Sequence, residues 1–167
     1  MIRVVVDDLA FVPVDAVLRP ANDLLEPVTP AGSRLDQQAG PGFTDQRRVQ
    51  SPLAAGAAVV TGAGDLTARF VVHAIIQTST TNPARDVIRR ALLSAWQRAS
   101  DWELRAVATP LVGAGAGQLS TEEAASLLSE TFVQHRAHAA FPTEIQIVLD
   151  SETDRATVQA VVGRLLP

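Results

Sequence analysis

The chain has 167 residues, enough for one domain that buries roughly 70% of its unfolded surface. Its 14 basic and 18 acidic residues leave a net charge of −4, a balance that argues against an extended nucleic-acid surface. All 14 basic residues are arginine, and lysine and cysteine are absent. A lysine nucleophile, a P-loop lysine, disulfides, zinc–thiolate centres and cysteine nucleophiles are therefore excluded.

In chain order, Val4-Val5-Val6 is a short β-branched run that reads as a buried strand, and Val14–Leu18 reads as a second. A proline- and glycine-rich stretch follows from Pro20 to Pro52. It is too long for a plain connector, and such loops often carry function; it has room only for a short helix over Gly32–Ala39. Strands are expected at Ala57–Thr61 and Phe70–Ile76. Asn82-Pro83 then supplies an N-cap and a first-turn proline for a helix striped by Ala84, Val87, Ile88, Ala91, Leu92, Ala95 and Ala99. A strand is expected at Arg105–Thr109. Ser120-Thr121-Glu122-Glu123 fits a capping box and opens a helix striped by Ala124, Leu127, Leu128, Thr131 and Phe132. The last strand is expected at Ile145–Leu149. Ser151–Asp154 resembles another cap, followed by a stripe of Val158, Val161, Val162 and Leu165.

Strands alternating with helices predict a single α/β domain over residues 1–167, a sandwich on a mainly parallel or mixed sheet. Met1–Leu9 carries Asp7 and Asp8 where a signal peptide would be apolar, and no apolar run approaches the ~18 residues of a membrane span. A soluble, cytoplasmic protein with no membrane partner is the expectation.

In an open α/β sheet, ligands bind beyond the carboxyl ends of the strands. Four segments are expected there: Asp7-Asp8-Leu9, Arg19-Pro20-Ala21-Asn22, Gly113-Ala114-Gly115-Ala116-Gly117 and Asp150-Ser151. The glycine loop is the most informative. Small residues let backbone N–H groups approach a ligand, and the helix opening at Ser120 adds a positive dipole end. A diphosphate could be held that way without a lysine; a tightly packed turn of small residues is the competing reading. At the same rim, Asp8 could accept from an exocyclic amine and Asn22 could bond the vicinal hydroxyls of a ribose. Both residue types more commonly cap local turns. His73, in an apolar strand, reads as a satisfied core histidine. His135 and His138 read as a solvated helix end rather than a metal pair, since no carboxylate completes a site at helical spacing, and no metal is expected. Trp96 and Trp102 read as packing residues.

Three segments, in order, carry a family resemblance. Asp7-Asp8-Leu9 with Val14-Asp15-Ala16-Val17-Leu18-Arg19-Pro20-Ala21-Asn22 matches, without a gap, the opening G-D-I … V-D-A-I-V-N-A-A-N of macro domains. Gly56–Ala74, GAAVVTGAGDLTARFVVHA, is similar to that family's G-E-A-V-V-T-x-G-x-x-L-x-A-R-Y-V-I-H-A. Thr109–Ser120 resembles its P-x-x-G-T-G-x-G-G-L-S diphosphate loop. The whole chain thus resembles a macro domain, the module that binds ADP-ribose. The resemblance implies a three-layer α/β/α sandwich with a mixed central sheet of about six strands. It implies that Asp8, with Leu9 beside it and Asp150 near by, faces adenine. Ala21, Asn22 and Gly32 would border the distal ribose, and Gly113, Ala114, Gly115, Ala116 and Gly117 would wrap the diphosphate with backbone amides.

The chain departs from the family's hydrolytic patterns. Aligned on Asn22 and Gly40, Pro27-Val28-Thr29-Pro30 replaces a glycine run, Gly32 stands where a water-activating Asp would be, and Arg19 replaces the first Asn of N-A-A-N. A second hydrolase branch needs a lysine, which is absent. In the glycohydrolase branch Q-E-E follows a glycine run, and Glu122-Glu123 does not. General acid–base help is worth 10²–10⁴-fold, so its loss leaves weak activity at best unless Asp23 or Asp36 substitutes. The leading expectation is a monomeric module for ADP-ribose or an ADP-ribosylated macromolecule, using no cofactor and depending only weakly on salt. The alternatives are an ADP-ribosyl hydrolase or O-acetyl-ADP-ribose deacetylase with a non-standard catalytic residue, and a macro fold that has become an assembly domain. The proline-rich loop further predicts a wide, exposed distal-ribose end.

Overall fold

The structure is a computed structural model that describes residues 1–115 and 118–166. Strands β1 (Ile2–Val6), β2 (Ala16–Asn22), β3 (Ala58–Gly62), β4 (Phe70–Gln77), β5 (Ala106–Thr109) and β6 (Glu144–Leu149) form one sheet in the order β1-β6-β5-β2-β4-β3. Neighbours run parallel except β3, which is antiparallel to β4. Between them lie α1 (Pro30–Gln46), α2 (Arg85–Asp101), α3 (Thr121–Arg136) and α4 (Arg155–Leu165).

The period-2 alternation of the central strands sends successive side chains to opposite faces. Leu18, Val72, Ala74 and Ile76 pack with Ile88, Leu92, Trp96, Leu128, Phe132 and Val161, so α2, α3 and α4 cover one face. Val17 and Val71 pack with Leu35, Ala39 and Phe43, so α1 covers the other. The result is the expected three-layer α/β/α sandwich on a six-stranded mixed sheet. Trp96 is fully buried, and its indole N–H donates to the Thr131 hydroxyl at 3.0 Å.

Several local expectations change. In the proline-rich segment the short helix expected over Gly32–Ala39 is present but begins at Pro30, and beyond a break at Gly40 a second helical stretch extends the element to Gln46. Thr29 caps its start, Pro30 opens the first turn, and a kink at Gly40 (φ 82°) admits Pro41. Strand β2 continues through Arg19-Pro20-Ala21-Asn22 instead of ending at Leu18. Its pairing with β5 stops at Val17, while pairing with β4 goes on to Asn22. From Leu18 to Pro20 the strand therefore has one bonded neighbour, an edge-like setting in which proline is tolerated, before Ala21 bridges to Pro27. Helix α2 starts at Arg85 behind Ala84, which makes no side-chain cap bond, so Asn82-Pro83 lies outside it. Asp154 likewise precedes α4 without a side-chain cap bond. His135 is not solvated: it is 5% exposed, with Nε2 2.8 Å from the Phe141 carbonyl. Trp102 is the less buried tryptophan, 53% exposed and tilted against Phe70.

Candidate ligand-binding cleft

The carboxyl ends of β1, β2, β5 and β6 open onto a cleft with two chambers. The first, about 670 Å³, is lined by Asp7, Asp8, Leu9, Asp150 and Asp154 on one side and by Arg34, Gln37 and Gln38 of α1 on the other. The second, about 460 Å³, lies between the start of α1, at Thr29–Gly32, and the turn at Gly113–Gly115. Leu9, Arg34, Leu111, Ala114 and Asp150 line both, so the two form one continuous trough.

Each wall is set by local chemistry. After β1, the Asp8 carbonyl accepts from Phe11 N–H and its Oδ1 accepts from Ala10 N–H at 2.9 Å, which folds the Asp8–Phe11 turn. Asp8 thus caps a turn and still lines the first chamber, with its second carboxylate oxygen left over for a donor. On the opposite wall, Thr29 Oγ1 accepts from Gly32 N–H at 3.0 Å, and the Thr29 carbonyl accepts from Ser33 N–H at 3.1 Å. After β5, Gly113 has φ 97°, a left-handed conformation in which a Cβ would come within 2.7 Å of Leu119 Cδ1. Leu119 N–H donates to the Gly113 carbonyl and Gln118 N–H to that of Gly115. Immediately beyond, Ser120 and Glu123 complete the capping box at 2.8 and 3.1 Å. The Ser120 backbone N–H, and after it the Ser120 hydroxyl, hold the Glu123 carboxyl below its usual range.

Beneath the second chamber is a buried ionic network. Arg19 is 1% exposed. Its Nε donates to His73 Nδ1 at 3.0 Å, Nη1 donates to Asp36 Oδ1 at 2.8 Å, and Nη2 donates to the Leu25 carbonyl. With Nδ1 accepting, the proton of the neutral imidazole sits on Nε2, which donates to Thr61 Oγ1 at 2.8 Å; Thr61 in turn donates to the Gly62 carbonyl. Phe43 stacks on His73 with centroids 5.9 Å apart and lies 5.5 Å from the Arg19 guanidinium. Burial lowers Arg19 from its usual value to about 10, against the pull of Asp36, so it stays charged at neutral pH. Burial, with Arg19 and Arg47 near by, holds His73 well below its usual 6.5 and keeps it neutral. Burial also raises the Asp36 carboxyl, opposed by Arg19 and Arg47.

Asp36 is therefore committed as a counter-ion. Oδ1 bonds Arg19 and Oδ2 lies 3.1 Å from Arg47 Nε, and it lines neither chamber. Asp23 also lies outside both. Asp8, Leu9 and Asp150 come together at the first chamber, and Gly32, Gly113, Ala114 and Gly115 at the second. Ala116 and Gly117 fall outside the described residues. Ala21 is fully buried and lines neither chamber. Asn22 also lies off the trough wall, because its amide closes its own turn: Oδ1 accepts from Leu24 and Glu26 N–H, and Nδ2 donates to Glu26. Sequence reasoning missed Arg34. It sits within the short helix expected over Gly32–Ala39, and only the packing of α1 across the strand ends places it on the trough. The trough stands open between Gly113–Gly115 and the start of α1.

Fold and trough define a class: an α/β/α sandwich with a cleft at the carboxyl ends of its parallel strands. The profile of the Macro domain family matches residues 19–128, and the chain belongs to that family. An uncharacterized protein of Aeropyrum pernix is 33% identical over 127 residues, 75% of this chain and 67% of its own length. A Mycobacterium tuberculosis relative is 26% identical over 129 residues, 77% of this chain but only 36% of the relative's own length. An O-acetyl-ADP-ribose deacetylase of Enterobacter is 25% identical over 167 residues, 96% of this chain and 93% of that one. Among solved structures, an Oceanobacillus iheyensis macrodomain mutant with ADPR superposes at TM-score 0.78 and 21% identity, covering 97% of this chain and 91% of that one. The Trypanosoma brucei macrodomain in complex with ADP superposes at 0.83 and 19%, covering 97% and 69%. Among the described residues, no helix is long and apolar enough to cross a membrane.

Proposed function

We propose that the domain binds ADP-ribose, free or as an ADP-ribosyl group on a macromolecule. The observation that carries this reading is the continuous two-chamber trough, with Asp8, Leu9 and Asp150 at one end and the Gly113–Gly115 turn facing the α1 start at the other. Adenine enters the first chamber and donates its exocyclic amine to Asp8. The diphosphate crosses the neck beside Ala114, and the distal ribose lies toward Gly32. Nothing in this binding scheme requires a cofactor.

Hydrolysis is the second reading, favoured by the relatives named O-acetyl-ADP-ribose deacetylase. It lacks a water-activating group at the distal end, since Gly32 occupies that position and Asp36 is held by two arginines.

Titration calorimetry with ADP-ribose tests the proposal. Saturable heat is expected, and silence at millimolar ligand discards it. Asp8→Asn retains an acceptor for Ala10 N–H but turns an amide donor toward the base. Hydrogen bonds to charged groups contribute about 1.5–3 kcal/mol, so a loss of at least ~10-fold is expected. Unchanged affinity would remove Asp8 from adenine recognition. A time course with O-acetyl-ADP-ribose addresses the second reading, and brisk turnover would overrule the binder.

A further inference from the structure

We propose that Arg34 is the side-chain anchor for the anionic centre of the ligand and sets the trough's preference for diphosphate-bearing nucleotides over uncharged nucleosides. This inference rests on the ADP-ribose reading above and deepens it.

Three observations carry it. First, Arg34 lines both chambers, which places it at the neck a diphosphate must cross. Second, its charge is uncommitted. Among the described residues no carboxylate lies within 4.0 Å of its guanidinium, although Asp150 lines the same neck. Arg19 is the other arginine at the second chamber, and all three of its nitrogens donate inward to His73, Asp36 and Leu25. Third, among the described residues, several main-chain donors around the neck are already engaged. Pro30 has no N–H, and the Gly32 and Ser33 N–H groups both donate to Thr29. Across the trough, Ala114 N–H donates to the Leu111 carbonyl at 3.2 Å, and Leu119 and Gln118 N–H close the turn on itself.

The field along the trough has the same sense. Asp7, Asp8, Asp150 and Asp154 line the first chamber, where Arg34 is the one basic residue among those described. Carboxylates at the base end suit a neutral, donor-bearing heterocycle and repel phosphate. A ligand with a neutral head and an anionic middle fits that polarity. A guanidinium offers a planar fork to phosphate oxygens, and such charge-assisted bonds are about twice as strong as neutral ones. The salt-insensitive grip expected from backbone amides alone becomes a salt-sensitive one.

Calorimetry on the intact chain with two probes, ADP-ribose and adenosine, tests this against Arg34→Gln and Arg34→Lys. Arg34 is exposed, and circular dichroism checks that both variants fold. Arg34→Gln is expected to weaken ADP-ribose at least ~10-fold and to leave adenosine within about twofold, with Arg34→Lys between native and Gln. The affinity the native protein loses between about 50 mM and about 300 mM salt should shrink in the Gln variant. If the native protein binds ADP-ribose and Arg34→Gln binds it equally well, the Arg34 inference falls and the ADP-ribose reading stands. Parallel losses for adenosine and ADP-ribose would also overturn it, since Arg34 would then shape the pocket rather than meet the phosphates. If the native protein binds no ADP-ribose, both readings fall.

Discussion

Asp36 carries the compensating charge of a network that holds α1 to the sheet. Its carboxylate is 11% exposed between the Arg19 and Arg47 guanidiniums. Removing one partner of a buried pair leaves the other charge uncompensated, at a cost of about 3–5 kcal/mol. Asp36→Asn is therefore expected to lower stability by about 3 kcal/mol in urea unfolding, since an amide cannot neutralise two cations. A catalytic Asp36 would give the reverse result, with stability kept and turnover lost. His73 supplies a second measurement. Burial, with Arg19 of β2 and Arg47 just beyond α1 near by, holds its folded pKa well below 6.5. As pH falls through 6.5 the unfolded chain takes up the proton first, so stability present above that pH is lost below it, by about 1.4 kcal/mol per pH unit. Asp36 contributes with opposite sign because its carboxyl is raised. The clean readout is thus the difference from His73→Gln between about pH 7.5 and about pH 5.5: the native slope should be the steeper, and equal slopes would mean that the ring does not titrate differently on folding. Sequence alone identifies His73 as a satisfied core residue and Arg19 as a departure from the family motif. It cannot pair Arg19 with Asp36 and Arg47, because that contact exists only once α1 is laid over β2.

At the level of elements, strands and helices with one dominant period are legible and those with mixed chemistry are not. Helix α3 announces itself because the Ser120–Glu123 box and the apolar stripe agree, and α2 is legible from its stripe alone, its expected cap lying outside it. The two misread elements carry residues whose local preference opposes their final state. Arg19, Pro20 and Asn22 are poor strand formers, and β2 keeps them through a buried ion network, an absent β5 neighbour and a terminal turn. In α1, Pro41 is accommodated by non-helical backbone at Gly40, which no propensity scale anticipates. The glycine turn after β5 yields the element-scale prediction. Gly113→Ala would put a Cβ 2.7 Å from Leu119 Cδ1 and 3.0 Å from Ile88 Cδ1 at φ 97°. A non-glycine residue held in such a region costs about 1–3 kcal/mol. A fall in stability of that size, together with weakened ADP-ribose binding, is expected. A variant with native affinity would show that the turn does not shape the ligand site.

At the scale of the whole molecule, sandwich and trough are one construction. The parallel strands end together, so the loops after β1, β5 and β6 converge on one rim, and α1 crosses that rim from the opposite layer. A ligand in the trough would tie both layers together and bind only the folded chain. Such binding stabilises by about 2.7 kcal/mol when free ligand is 100 times its Kd. For a domain of this size 1 kcal/mol corresponds to about 2–4 °C in Tm. ADP-ribose at that excess should therefore raise the native Tm by roughly 5–10 °C. At the same absolute ligand concentration, Asp8→Asn and Arg34→Gln should each lose about 1.4 kcal/mol of that stabilisation per tenfold loss of affinity. Asp36→Asn tests whether ligand site and ionic network are separable. Its unliganded Tm should start lower, yet the shift produced by ADP-ribose should stay close to native, because Asp36 lies behind the trough wall rather than in it. A ligand shift that vanished in a folded Asp36→Asn protein would mean that the buried network holds the trough in its binding shape.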